Sequence, residues 1–103
     1  MTHFNLNSFE AELNSGKLVM VDFWAAWCGP CRMLSPVIDG LDKRYEGKVV
    51  IGKVNVDEEQ ELAITNGVMS IPTVVFFKDG KEIDRKVGVM PEKEFVSILD
   101  ANL

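Results

Sequence analysis

The chain has two cysteines, Cys28 and Cys31, with Gly29 and Pro30 between them. An apolar run from Leu18 to Trp24 precedes them, and a stretch of helical periodicity follows. A dithiol at that junction puts Cys28 at a helix N-terminus, where unpaired backbone N–H groups and the positive end of the helix dipole favour an anion. The anion is a thiolate, the form of cysteine that attacks disulfides. Redox chemistry at a reactive dithiol is the favoured reading, with Cys28 the exposed, low-pKa thiol and Cys31 the shielded one.

Other uses of two cysteines fit less well. Zinc wants about four nitrogen or sulfur ligands, and beyond the cysteines the chain offers only His3. A structural disulfide across two residues closes too small a loop to restrain the unfolded chain much. An inert core pair sits poorly with Gly29-Pro30, which reads as an exposed turn.

The elements that must position the dithiol follow from periodicity. Residues 3 to 6 carry a weak strand signal. Asn7 with Glu10 resembles a capping box for a short helix that stops at Asn14-Ser15-Gly16. Leu18 to Trp24 is too continuously apolar to have a wet face and predicts a central parallel strand. After the cysteines, Leu34, Val37, Ile38, Leu41 and Tyr45 share one helical face, with Pro36 removing one backbone bond and Gly47 ending the helix. Lys48 to Val56 predicts a second strand, and Asp57 with Gln60 a cap for a helix that stops at Asn66-Gly67. Thr73 to Phe77, the Asp79-Gly80 turn and Glu82 to Val87 form a hairpin. Pro91 opens the last helix at its first position, with Phe95, Ile98 and Leu99 as its buried stripe. Strands separated by helices imply parallel crossovers, and the hairpin adds an antiparallel edge. The outcome is an α/β sheet with the dithiol just beyond the carboxyl end of a central strand, where such sheets place their sites.

A chain of 103 residues, 47% apolar and 26% charged, suits one domain over 1–103. The net charge of −5, without a basic cluster, argues against nucleic acid and anionic membranes as partners. No apolar run approaches the roughly 20 residues of a membrane span. The first residues carry neither the positive nor the apolar region of a secretory signal. A dithiol in a reducing compartment is more often catalytic than structural, so a cytoplasmic location is expected.

Trp27-Cys28-Gly29-Pro30-Cys31 behind Val21-Asp22-Phe23-Trp24-Ala25 resembles the thioredoxin family. The resemblance runs on through Pro36, Lys53-Val54-Asn55-Val56-Asp57, Asn66-Gly67-Val68, Ser70-Ile71-Pro72-Thr73, Phe77-Lys78-Asp79-Gly80 and Val87-Gly88, covering nearly the whole chain in order. It departs in an abbreviated first strand and in Ala26, where many relatives carry a charge. The resemblance implies the thioredoxin fold, a single mixed sheet of five strands, or four if the first is lost, flanked by helices on both faces.

It also implies a protein-disulfide reductase. Cys28 would attack a target disulfide, and Cys31 would resolve the mixed disulfide. The family is itself the standard case of a lowered cysteine pKa in such a motif and of a reducing couple. Gly29 and Pro30 bring no charge to hold the thiolate, whereas a histidine there would make the couple more oxidising. No bound cofactor is implied. Electrons would come from a separate thioredoxin reductase, the other partners would be disulfide-containing target proteins, and the chain would be a monomer.

The resemblance gives roles to residues that have ordinary readings too. Asp22 could face solvent near an edge, but its family match lies buried beneath the dithiol and accepts the proton of Cys31 through water. Lys53 could merely snorkel, but its match lies near that carboxylate. Pro72 could be an ordinary first strand residue. The family implies a cis Ile71-Pro72 bond facing the dithiol, with the Ile71 backbone pairing with the target. Trp27, Gly29, Pro30 and Gly88 would complete a flat docking surface. A glutaredoxin-like, glutathione-linked reductase would want Tyr or Phe between the cysteines. A non-catalytic binding module would use the same surface with idle cysteines.

Overall fold

The computed structural model describes residues 1–103. The strand that leads to the cysteines, β2 (Val19–Trp24), is buried at every residue but Trp24. Apolar side chains on both faces oblige it to take a central place, and it does. It pairs in parallel with β3 (Val50–Asn55) and antiparallel with β4 (Thr73–Lys78). Outside β3 lies β1 (Thr2–His3), and outside β4 lies β5 (Lys81–Val87), giving the order β1-β3-β2-β4-β5. The first strand is retained at only two residues.

One sequence expectation is overturned in the sheet. Although β4 is reached through a helix, it runs antiparallel to β2. The helix, α3 (Gln60–Thr65), has six residues. It spans about 9 Å, less than half of a six-residue strand of about 20 Å, so it does not form a crossover helix running the length of the sheet. The antiparallel half therefore begins at β4, inside the sheet, and not only at the hairpin edge.

The other helices are α1 (Leu6–Asn14), α2 (Gly29–Arg44) and α4 (Glu92–Asn102). Side chains alternate across the strands, and two cores result. Leu34, Ile38 and Leu41 of α2 and Phe95 and Leu99 of α4 pack on Met20, Ile51, Val74 and Phe76. On the opposite face, Phe9 of α1 and Leu62 of α3 pack on Val19, Val21, Phe23, Val54, Val75 and Phe77. The Tyr45 hydroxyl donates to Asp100 at 2.7 Å, tying the end of α2 to α4. No helix is long and apolar enough to cross a membrane.

Helix ends depart from the sequence reading by one to three residues. The capping box of α1 is Asn5 with Ser8, not Asn7 with Glu10: Asn5 Oδ1 accepts from the Ser8 N–H and Ser8 Oγ accepts from the Asn5 N–H, both at 2.9 Å. Buried Phe4 fixes the chain immediately before that cap. Glu59, not Asp57, is the N-cap of α3, and Pro91 is the N-cap of α4 and not its first residue. Helix α2 ends at Arg44, three residues before Gly47. The hairpin turn is as expected: Asp79 and Gly80 both take positive φ, 53° and 78°, the mirror-image turn that matches strand twist.

Candidate active site

Strand β2 delivers the chain to buried Ala25, and the next turn places Cys28 as the N-cap of α2. Its Sγ accepts the Cys31 N–H at 3.2 Å, one of the donors that a helix start leaves unpaired. Cys28 and Cys31 are joined in a disulfide with Cα atoms 5.3 Å apart. In this oxidised form both are buried, Cys28 5% and Cys31 2% exposed, so the expected contrast in exposure is slight. What separates them is direction, since Cys28 lines the adjoining groove and Cys31 does not.

That groove is about 510 Å³ in volume. Trp27, Cys28, Gly29 and Pro30 line it from the dithiol segment, and Val68, Met69, Ser70 and Ile71 from the connection before β4. None of its lining residues is charged. The Ile71-Pro72 bond is cis, and the Ile71 carbonyl oxygen lies 3.9 Å from Cys28 Sγ. Gly88 does not line the groove; its N–H donates to the Pro72 carbonyl at 2.9 Å. Trp27 is 69% exposed, with its indole N–H donating to Asp57 Oδ2 at 2.8 Å.

Asp22 shares the face of β2 that carries Met20 and packs under α2. It is 1% exposed, and its Oδ1 has no hydrogen-bond partner. Burial pushes its carboxyl up to about 7; Lys53 opposes the rise and Asp39 adds to it. Lys53 is the register partner of Asp22 on β3, but no ion pair joins them. Its ammonium donates to Ser35 Oγ at 2.7 Å, lies 3.6 Å from Asp39 Oδ1 and 5.9 Å from the centre of the Trp24 ring. The sequence-predicted residues are therefore assembled at one end of the sheet, Gly88 at one remove.

Sequence reasoning missed several neighbours. Asp57 as the anchor of Trp27, and Ser35 and Asp39 as the partners of Lys53, are contacts between elements with no local signature. Met69 did carry a signal, a large apolar residue in a turn, and it is 95% exposed at the groove.

A sulfur capping a helix, a second sulfur behind it and an uncharged groove beside them define a thiol–disulfide exchange site on an α/β sheet. Comparison with known proteins agrees. The family model described as Thioredoxin matches residues 1–101. The chain is 50% identical to thioredoxin 2 of Chlorobaculum tepidum over 97 residues, 93% of this chain and 89% of that one. It is 46% identical to thioredoxin of Staphylococcus aureus over 95 residues, 92% and 90% of the two chains. Among solved structures, a single-substitution mutant of thioredoxin from Halobacterium salinarum superposes with a TM-score of 0.88 at 32% identity, covering 96% of this chain and 87% of that one. The chain belongs to the thioredoxin family. It is a protein-disulfide reductase.

Proposed function

We propose that Cys28 is the nucleophile and that the groove beside it receives an extended segment of the target protein. The observation that carries this reading is that Cys28 alone of the two sulfurs lines the groove while capping a helix N-terminus. Cys28 thiolate attacks one sulfur of the target disulfide, forming a mixed disulfide and releasing the other target sulfur as a thiolate. Cys31 then attacks Cys28 Sγ, forming the Cys28–Cys31 bond and releasing the second target thiolate. The target gains two electrons and the protein loses two.

Asp22 is the acceptor for the Cys31 proton, since a carboxyl that titrates near neutrality can take and return one. Lys53 supports it by opposing the rise in its pKa. Trp27, Gly29, Pro30 and Ile71 contact the target, with Pro72 and Gly88 holding the Ile71 backbone in place. The protein works as a cytoplasmic monomer, a single domain over 1–103, with no bound cofactor. A separate thioredoxin reductase returns its electrons. Reduction of insulin disulfides tests the reading: wild type should be active and Cys28→Ser inactive. A Cys31→Ser variant should trap target proteins as mixed disulfides; a trap that forms equally well on Cys28→Ser would overturn the assignment.

A further inference from the structure

One wall of the groove, Val68 to Ile71, is the connection between α3 and β4. Its backbone has few bonds of its own: the Val68 N–H donates to the Ala63 carbonyl at 3.0 Å, and the Ser70 carbonyl accepts from Thr73 Oγ1 at 2.6 Å. Both ends of the wall are held instead by the edge strand β5 and the residue that follows it. At the far end, the Gly88 N–H donates to the Pro72 carbonyl at 2.9 Å, and Val87 pairs with Thr73. At the near end, α3 gives out into Asn66 and Gly67, the latter at φ +64°. The Arg85 side chain reaches across from β5, with Nη2 donating to the Asn66 carbonyl at 2.7 Å and Nη1 to the Gly67 carbonyl at 3.3 Å. Those two carbonyls accept no other hydrogen bond from the protein.

The same guanidinium is locked in plane by Glu82, which accepts from Nε at 2.9 Å and from Nη2 at 2.8 Å. A planar fork spends little orientational freedom when two acceptors already fix it. A cation beside carbonyls at a helix C-terminus is favourable on its own account. We propose that Arg85 is a positioning residue for target docking: it pins the start of the Val68–Ile71 wall to β5, so that the groove keeps its shape beside Cys28. This rests on the groove being the docking site. Arg85 and Glu82 are partly exposed, with 27% and 40% of their side-chain surface open to solvent. Removing an ion pair of that kind changes global stability little, so the effect falls on the wall and not on the fold.

The test compares reduced wild type, Arg85→Met and Arg85→Lys on two oxidants, insulin and the small aromatic disulfide dithiobis(nitrobenzoate). Methionine keeps the length of the stem and removes every donor. Arg85→Met should raise KM for insulin about fivefold with kcat little changed, while the rate with the small disulfide stays the same. Amide hydrogen exchange at Val68, Met69 and Ser70 should quicken, and Arg85→Lys should recover part of the KM. Unchanged KM for insulin in Arg85→Met overturns the proposal. So does an equal slowing with both oxidants, because the lesion would then lie in the dithiol or the fold. Wild type that reduces the small disulfide but never saturates with insulin would overturn the docking reading itself, an outcome distinct from saturating wild type with an indifferent Arg85→Met.

Discussion

Asp22 and Lys53 are register partners on adjacent parallel strands, yet the Lys53 ammonium is bound to Ser35 and Asp39 while Asp22 Oδ1 has no partner. A direct ion pair would hold the Asp22 carboxyl ionised through the neutral range. A lysine whose hydrogen bond goes to α2 exerts only a longer-range attraction, and desolvation wins. The carboxyl accordingly titrates at about 7, where a proton can be accepted and returned. The ionised carboxyl is therefore a cost to stability at one buried site.

The stability consequence has a definite sign. The Asp22 pKa rises from 3.8 to about 7 on folding, so the folded state holds the proton more tightly. The associated stability is fully present below 3.8 and is lost as pH rises towards and through about 7. Above neutrality the ionised group costs roughly 4 kcal/mol. Asp22→Asn should be more stable than wild type at pH 8, by on the order of 2–4 kcal/mol after the amide's own unmet hydrogen bonds are counted. The gain should shrink as pH falls towards 4. Urea melts across that range measure it, and an Asn variant less stable at pH 8 would contradict the burial argument.

Reduced protein should distinguish its two thiols. Cys28 caps the helix and lines the groove, whereas Cys31 lies within the first turn and away from it. A brief exposure to iodoacetamide near pH 7, followed by peptide mass spectrometry, should find the adduct first on Cys28. Prior modification of Cys31 would exchange the roles.

The dithiol, its strand and its helix were legible because each is written locally: a buried run, a capping cysteine and a 3.6-residue stripe. The hairpin turn was legible for the same reason, as Asp79-Gly80 shows. The direction of β4 was not, because a connection from 56 to 72 with one short helix is long enough to lead into a strand of either direction. The carboxylate in β2 announced itself as a polar residue in an apolar strand. Its partners did not, since Ser35 and Asp39 meet Lys53 only once α2 lies across β3. Nor was the part of the groove formed by Val68 to Ile71 legible, because it arrives from the connection after α3.

Gly52 tests how the minimal strand β1 is retained. It pairs with Thr2, and a Cβ built on it would overlap the ring of Phe4, which is buried against Phe9. Phe4 also donates its N–H to the Lys53 carbonyl at 2.8 Å, so the ring cannot retreat without loosening that bond. Gly52→Ala should destabilise the fold by about 1–3 kcal/mol, the usual range for overpacking. In a Phe4→Ala background the same change should have much less effect. Equal losses in both backgrounds would remove the ring as the cause.

The Trp27 indole stands largely in solvent, and a large exposed aromatic has no packing reason to keep one orientation. Its N–H bond to Asp57 Oδ2, at 2.8 Å, supplies one. Asp57 follows β3 in sequence while Trp27 precedes Cys28, so the bond fixes one side of the groove to the sheet. A hydrogen bond to a carboxylate is stronger than a neutral one, but solvent competes here, and its net worth is about 1 kcal/mol. Asp57→Ala should therefore raise KM for insulin reduction about fivefold, with kcat nearly unchanged. Trp27→Phe keeps an aromatic surface and has no N–H to lose. If the bond is the cause, Asp57→Ala adds nothing further in the Trp27→Phe background. Effects that simply multiply would show that Asp57 acts on the target directly, by its charge, and not by orienting the indole.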